Sequence, residues 1–167
     1  MPKHLFLLRH AESIEKQIRQ QDKDRELSTN GVKEAMQIGS YLLKESIYPD
    51  FIFTSNATRT TATTQLVADI IKFDINKISA EDELYDASVR TFLEFITRID
   101  DSYSSVLCVG HNPVISYLAE YLTKAEIGSM ATGSLASIKF NFNSWREASE
   151  GTGELLNYVA PSMLLID

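Results

Sequence analysis

Two of the chain's three histidines stand in the same kind of place. The short apolar run Lys3-His4-Leu5-Phe6-Leu7-Leu8 reads as a strand buried on both faces, and it breaks at once into Arg9-His10-Ala11-Glu12-Ser13. The clearest central strand, Ser105 to Val109, breaks into Gly110-His111-Asn112-Pro113. A third buried run, Phe51-Ile52-Phe53-Thr54, is followed by Ser55-Asn56-Ala57-Thr58-Arg59 at a helix start. Open α/β sheets bind ligands outside the carboxyl ends of their strands. If these strands are neighbours, Arg9, His10, Arg59 and His111 converge on one point. A helix beginning near Ala57 adds free N–H groups and a partial positive charge. The chemistry this cluster suits is the holding of a phosphate.

Each piece alone has an ordinary structural explanation, as a hydrogen-bonding strand end, a solvated arginine or a turn into a helix. The conjunction at three strand ends carries the argument. Metal binding competes poorly. His10 and His111 lack a third His or Cys at a recognisable ligand spacing, His4 lies about 20 Å from His10 along an extended strand, and flanking arginines repel a cation. Cys108 falls inside a strand and reads as a small core residue.

The overall charge sharpens the point. Sixteen Lys and Arg face 23 Asp and Glu, a net −7, so the surface has no general attraction for nucleic acid or anionic lipid. Any phosphate must be held by a local concentration of positive charge. A length of 167 residues, with 44% hydrophobic and 23% charged, suits a single globular domain over 1–167. No apolar run approaches the ~18 residues of a membrane span, and Leu5 to Leu8 is too short for a signal peptide. One cysteine leaves no internal disulfide framework or Cys-rich zinc site. A cytoplasmic location is the expectation.

The elements that must position these residues are legible. A polar loop, Glu15 to Glu26, leads to Ser28, Thr29 and Asn30, all competent helix caps. A helix to about Ser46 follows, with Val32, Ala35, Met36, Gly39, Leu42 and Leu43 expected inward. A second helix is expected over Ala57 to Lys72, burying Ala62, Leu66, Val67, Ile70 and Ile71. Its threonines are poor helix formers, so something other than propensity must hold its first turn. A weak strand near Lys77 to Ala80, a helix from Val89 to about Ile99 and a helix from Pro113 to about Leu122 complete the alternation. Ala136, Ile138, Phe140 and Phe142 alternate with polar residues as in a half-buried strand, and Glu154 to Val159 reads as its return strand. The pattern gives a three-layer α/β/α sandwich with a mostly parallel central sheet.

At this point the chain resembles a known family. Leu7-Leu8-Arg9-His10-Ala11-Glu12 is similar to the signature of the histidine phosphatase superfamily, the phosphoglycerate-mutase-like group, with Ala11 where Gly is usual. Arg25-Glu26-Leu27-Ser28-Thr29-Asn30-Gly31 resembles the Arg-x-Leu-(Ser/Thr)-x-x-Gly element of its small SixA-type phosphohistidine phosphatases. The blocks Thr54 to Thr63, Val109 to Pro113 and Thr132 to Ala136 also resemble that branch. The resemblance implies His10 as the nucleophile that is transiently phosphorylated. It implies Arg9, Arg59 and His111 as the phosphate pocket, with Arg25 as a further phosphate contact and Asn112 beside it. No metal or organic cofactor is implied.

The residue types agree with this role. A neutral imidazole can attack phosphorus and split one displacement into two, and arginines offer paired donors to the non-bridging oxygens. A protonated His111 would add charge to the transferring group. By the pattern of relatives, Leu84-Tyr85-Asp86 puts Asp86 where some members carry a general acid, with Glu83 as second candidate. The substrate classes are a histidine-phosphorylated protein, favoured by a chain with little material for a lid, or a small phosphorylated metabolite. A phosphate- or phosphohistidine-binding module is the non-catalytic alternative.

Overall fold

The computed structural model describes residues 2–164. Six strands form one sheet in the order β3-β2-β4-β1-β5-β6. They are β1 (Lys3–Arg9), β2 (Phe51–Ser55), β3 (Ile78–Glu81), β4 (Ser105–Gly110), β5 (Leu135–Phe140) and β6 (Gly153–Val159). The pairs β1–β4, β2–β4 and β2–β3 are parallel; β1–β5 and β5–β6 are antiparallel. The sheet is therefore mostly parallel, with an antiparallel edge built from the chain's tail. The helices are α1 (Thr29–Lys44), α2 (Thr58–Ile71), α3 (Val89–Thr97) and α4 (Val114–Thr123).

Two hydrophobic cores sandwich the sheet. Leu5, Leu7, Val106 and Cys108 point toward Phe92, Phe95 and Ile96 of α3 and Ile115 and Leu118 of α4. Phe6, Leu8, Ile52, Leu107 and Val109 point toward Ile38 and Leu42 of α1 and Val67, Ala68 and Ile71 of α2. Burying both faces explains why these strands read as continuous apolar runs. The strands that carry the site, β1, β4 and β2, lie side by side at the sheet's centre.

Three expected packing patterns are corrected. On α1 the buried residues are Gly31, Ala35, Ile38, Gly39 and Leu42, while Val32, Met36 and Leu43 are exposed. On α2 the buried side is Arg59, Thr60, Thr63, Thr64, Val67, Ala68 and Ile71, and Ala62, Leu66 and Ile70 are only half-buried. The threonines can face the core because their hydroxyls are satisfied locally: Thr63 Oγ1 donates to the Arg59 carbonyl at 2.7 Å and Thr64 Oγ1 to the Thr60 carbonyl at 2.8 Å. On β5 every residue but Lys139 is buried, including Ser137, because β1 and β6 flank the strand and helices cover it.

Candidate active site

The structure brings together most of the residues singled out above. A cavity of about 340 Å³ at the carboxyl ends of β1 and β4 is lined by Arg9, His10, Arg25, Arg59, His111 and Asn112, together with Glu12, Ser13 and Thr132. The register explains the meeting: Arg9 pairs with Gly110 across parallel strands, and the His10 amide donates to the Gly110 carbonyl at 3.1 Å. The two imidazole centroids are 5.3 Å apart.

The backbone beneath His10 is clamped. Gly133, at φ +70°, donates its N–H to the carbonyls of Arg9 (3.1 Å) and His10 (3.0 Å). That conformation is routine only for glycine. The Ala11 amide donates to Thr63 Oγ1 at 3.0 Å, tying the turn after β1 to the first turns of α2.

The His10 side chain is 8% exposed, and its Nδ1 lies 2.6 Å from the Ala11 carbonyl oxygen. A carbonyl only accepts, so in the neutral ring Nδ1 carries the proton and Nε2 keeps its lone pair. Burial pulls the His10 pKa down to about 4, against the pull of the Ala11 carbonyl and aided by Arg59, Arg9 and Arg25. His10 is therefore neutral near pH 7, the state in which nitrogen is a nucleophile. Burial, then Arg59, pushes His111 down to about 3. The expectation of a protonated His111 is corrected for the free pocket: a buried ring among guanidinium groups does not take a further positive charge.

The arginines are anchored from behind. Arg9 Nη1 donates to the Met130 carbonyl at 2.7 Å. Arg59, 7% exposed, donates through Nη1 to the Asp22 carbonyl at 2.8 Å and through Nη2 to Asp22 Oδ2 at 3.0 Å. Arg25 donates to Ile14, Asp22 and Ser13. Arg9 Nε, Arg59 Nε and His111 Nδ1 are all buried without a hydrogen-bond partner. Orphaned buried polar atoms are rare. Two of these, the Nε–H groups of Arg9 and Arg59, are donors short of an acceptor on residues that line one cavity, an arrangement that suits an anion.

Four partners of this cluster were invisible in the sequence. Asp22, from the loop between Glu15 and Glu26, ion-pairs with both Arg25 and Arg59. Tyr85 donates its hydroxyl to Asp22 Oδ2 at 2.6 Å and sets its ring edge against His111. The Tyr85 hydroxyl, with Arg59 and Arg25, holds the Asp22 carboxyl well below the usual carboxylate range. Ser55 Oγ lies 2.7 Å from His111 Nε2. Glu34 accepts from the Glu12 amide and the Thr132 hydroxyl. Asn56 donates to Asp82 rather than capping α2, whose N-cap, Ala57, has no side-chain bond.

Asp86 is exposed and does not line the cavity. Glu83 is ion-paired with Arg98 at 2.6 Å and lines a different depression beside Phe53 and Phe95. Asn112 lines the cavity with its amide engaged, donating to Ser129 and Met130 and accepting from Ser116. Among the described residues no group of three or more His, Cys, Asp or Glu is arranged to hold a metal ion.

Comparisons with known proteins agree with this geometry. The sequence model of the histidine phosphatase superfamily (branch 1) matches residues 5–91. An uncharacterized chloroplastic protein of Arabidopsis thaliana is 29% identical, over 95% of this chain and 78% of that protein. The crystal structure of a candidate phosphohistidine phosphatase, SixA from Agrobacterium tumefaciens, superposes with a TM-score of 0.82 at 27% identity, over 96% of this chain and 99% of that one. A protein histidine phosphatase SixA complexed with tungstate shares the fold, with a TM-score of 0.82 at 22% identity over 97% and 99% of the two chains.

Proposed function

This chain belongs to the histidine phosphatase superfamily, and on that footing we propose that it is a phosphatase, acting as one domain, that removes phosphate from phosphohistidine on another protein through a phosphorylated His10. The observation that carries the reading is the pairing of a nucleophile with its cradle. His10 has its proton committed to Ala11 and its Nε2 lone pair free, in a cavity whose Arg9, Arg59 and His111 each hold an unpartnered buried nitrogen.

The reaction runs in two displacements. His10 Nε2 bonds to phosphorus as the P–N bond of the substrate breaks, and the departing imidazole nitrogen takes a proton from solvent water. Water then attacks phospho-His10, inorganic phosphate leaves and the free imidazole is restored. Arg9, Arg25 and Arg59 carry the charge on the non-bridging oxygens throughout. The positions of the carboxylates favour a leaving group that needs little acid help. Asp86 and Glu83 lie outside the cavity, and Glu12, the carboxylate that lines it, is engaged by Ser28 and Asn30. A phosphoramidate, whose leaving imidazole needs less acid help than an alkoxide, suits such a pocket. The likeness to SixA structures supports the same substrate class.

The test is phosphate release from a histidine-phosphorylated carrier protein and from p-nitrophenyl phosphate, with wild type and His10→Ala side by side. Release from the carrier, lost by about 10⁴-fold in the variant, is the expected result. Preference for the small ester would make the protein a general phosphomonoesterase. Phosphate binding without release from either substrate would leave a binding module and overturn catalysis.

A further inference from the structure

We propose that Ser55 is a positioning residue: its hydroxyl donates to His111 Nε2, so that the neutral imidazole carries its proton on Nδ1 and offers an N–H, not a lone pair, to the phosphoryl group. The inference rests on the phosphatase reading for its function but on local geometry for its direction.

The hydrogen bonds around Ser55 favour one direction for the bond, and the phosphoryl group proposed to bind beside Nδ1 favours the same one. Ser55 Oγ and His111 Nε2 are 2.7 Å apart, so one of the two supplies the proton. The surroundings of Ser55 favour the hydroxyl as donor. Its oxygen already accepts from the Ala57 amide at 3.3 Å. The Thr60 hydroxyl has nearer acceptors in the carbonyls of Ser55 (2.8 Å) and Ala57 (2.9 Å) than in Ser55 Oγ (3.2 Å). The best acceptor left for the Ser55 proton is Nε2. At the other end of the ring, Nδ1 is buried and unpartnered beside a cavity that also holds the orphaned Nε–H groups of Arg9 and Arg59. A lone pair there would repel a phosphate oxygen; an N–H completes the set of donors.

The two histidines then divide the work without either being charged. A backbone carbonyl on Nδ1 turns His10 into an acceptor at Nε2, and a hydroxyl on Nε2 turns His111 into a donor at Nδ1. Ser55 is fully buried at the end of β2, so it can hold one geometry through the catalytic cycle. The His111 N–H is made strongest as charge builds on the transferring group, which places the effect in kcat.

The deciding measurement is the nitrogen-15 spectrum of the imidazole rings in the ligand-free wild type at pH 7, with His111 identified by a His111→Gln variant. The expected spectrum shows Nδ1 protonated and Nε2 bare on His111. A protonated Nε2 overturns the proposal, whatever the protein's substrate proves to be. Ser55→Ala is then compared with wild type. The expected outcome is a mixed His111 tautomer, a kcat lower by ~10-fold or more and a KM within about twofold, because one oriented donor in such a site is worth ~10²–10³ in rate. Unchanged tautomer and kcat would also overturn it. If Ser55→Ala fails to fold, the wild-type spectrum decides alone. The outcome is separable from that of the proposed function, since the spectrum needs no substrate.

Discussion

At the scale of single residues, the site is a problem in placing like charges. Three guanidinium groups line one small cavity, and Asp22 is the carboxylate that bonds to two of them. Asp22→Asn keeps the shape but turns one oxygen into a donor facing a donor, which releases Arg25 or Arg59 from its bearing. We expect kcat/KM to fall by about tenfold, and by less in Tyr85→Phe, which removes one of the bonds to Asp22. Steady-state kinetics of the two variants check this, and wild-type rates in both would show that the arginines need no such support. The meeting of Arg9, His10, Arg59 and His111 was legible in the sequence because strand-end residues inherit their position from the sheet. Asp22, Tyr85 and Ser55 were not. Asp22 and Tyr85 arrive on loops whose paths no periodicity encodes, and a serine ending an apolar strand looks like any cap. Asp86 illustrates the converse: it sits one residue from Tyr85 and yet is exposed, because a turn sends neighbouring side chains in different directions.

At the scale of elements, the strands and helices were readable from periodicity, and the inward faces of α1 and α2 only in part: Ala35, Gly39, Leu42, Val67 and Ile71 are buried as expected, the other expected positions are not. Hydropathy alone assigned Val32, Met36 and Leu43 to the interior, while the tightest contact of α1 is made by its smallest residue. Gly31 lies so close to the turn after β1 that an added Cβ would sit 1.9 Å from the Glu12 carbonyl oxygen. Helix propensity favours alanine over glycine by about 1 kcal/mol, but here backbone cannot yield to a methyl group. Gly31→Ala should cost roughly 3 kcal/mol or more in urea denaturation. It should also slow catalysis, since Glu12 lies two residues beyond His10. A stabilised variant would show that the turn moves freely. On α2 the lesson is chemical: threonines pass as polar until their hydroxyls bond to the preceding turn, after which they present methyl groups to the core.

For the molecule as a whole, the pocket sets a cost that depends on pH. In the unfolded chain His10 and His111 take protons near pH 6.5; folded, they resist until about 4 and about 3. Below pH 6.5 the unfolded state therefore binds more protons, and stability falls as pH falls, with two such groups approaching ~2.7 kcal/mol per pH unit. Above pH 6.5 neither state is protonated at these rings and the term vanishes. Denaturation midpoints should be flat from pH 8 to 7 and drop steeply from pH 6 to 4. A double variant with neutral, non-titrating His10→Asn and His111→Asn should lose most of that slope. Equal slopes in both proteins would place the acid sensitivity elsewhere. The amide of Gly133, shared between the carbonyls of Arg9 and His10, gives the same pocket a built-in clock. Its hydrogen trades with deuterium from solvent only when the floor beneath His10 opens. The lifetime of that one hydrogen thus reports, with no substrate present, how often the site comes apart.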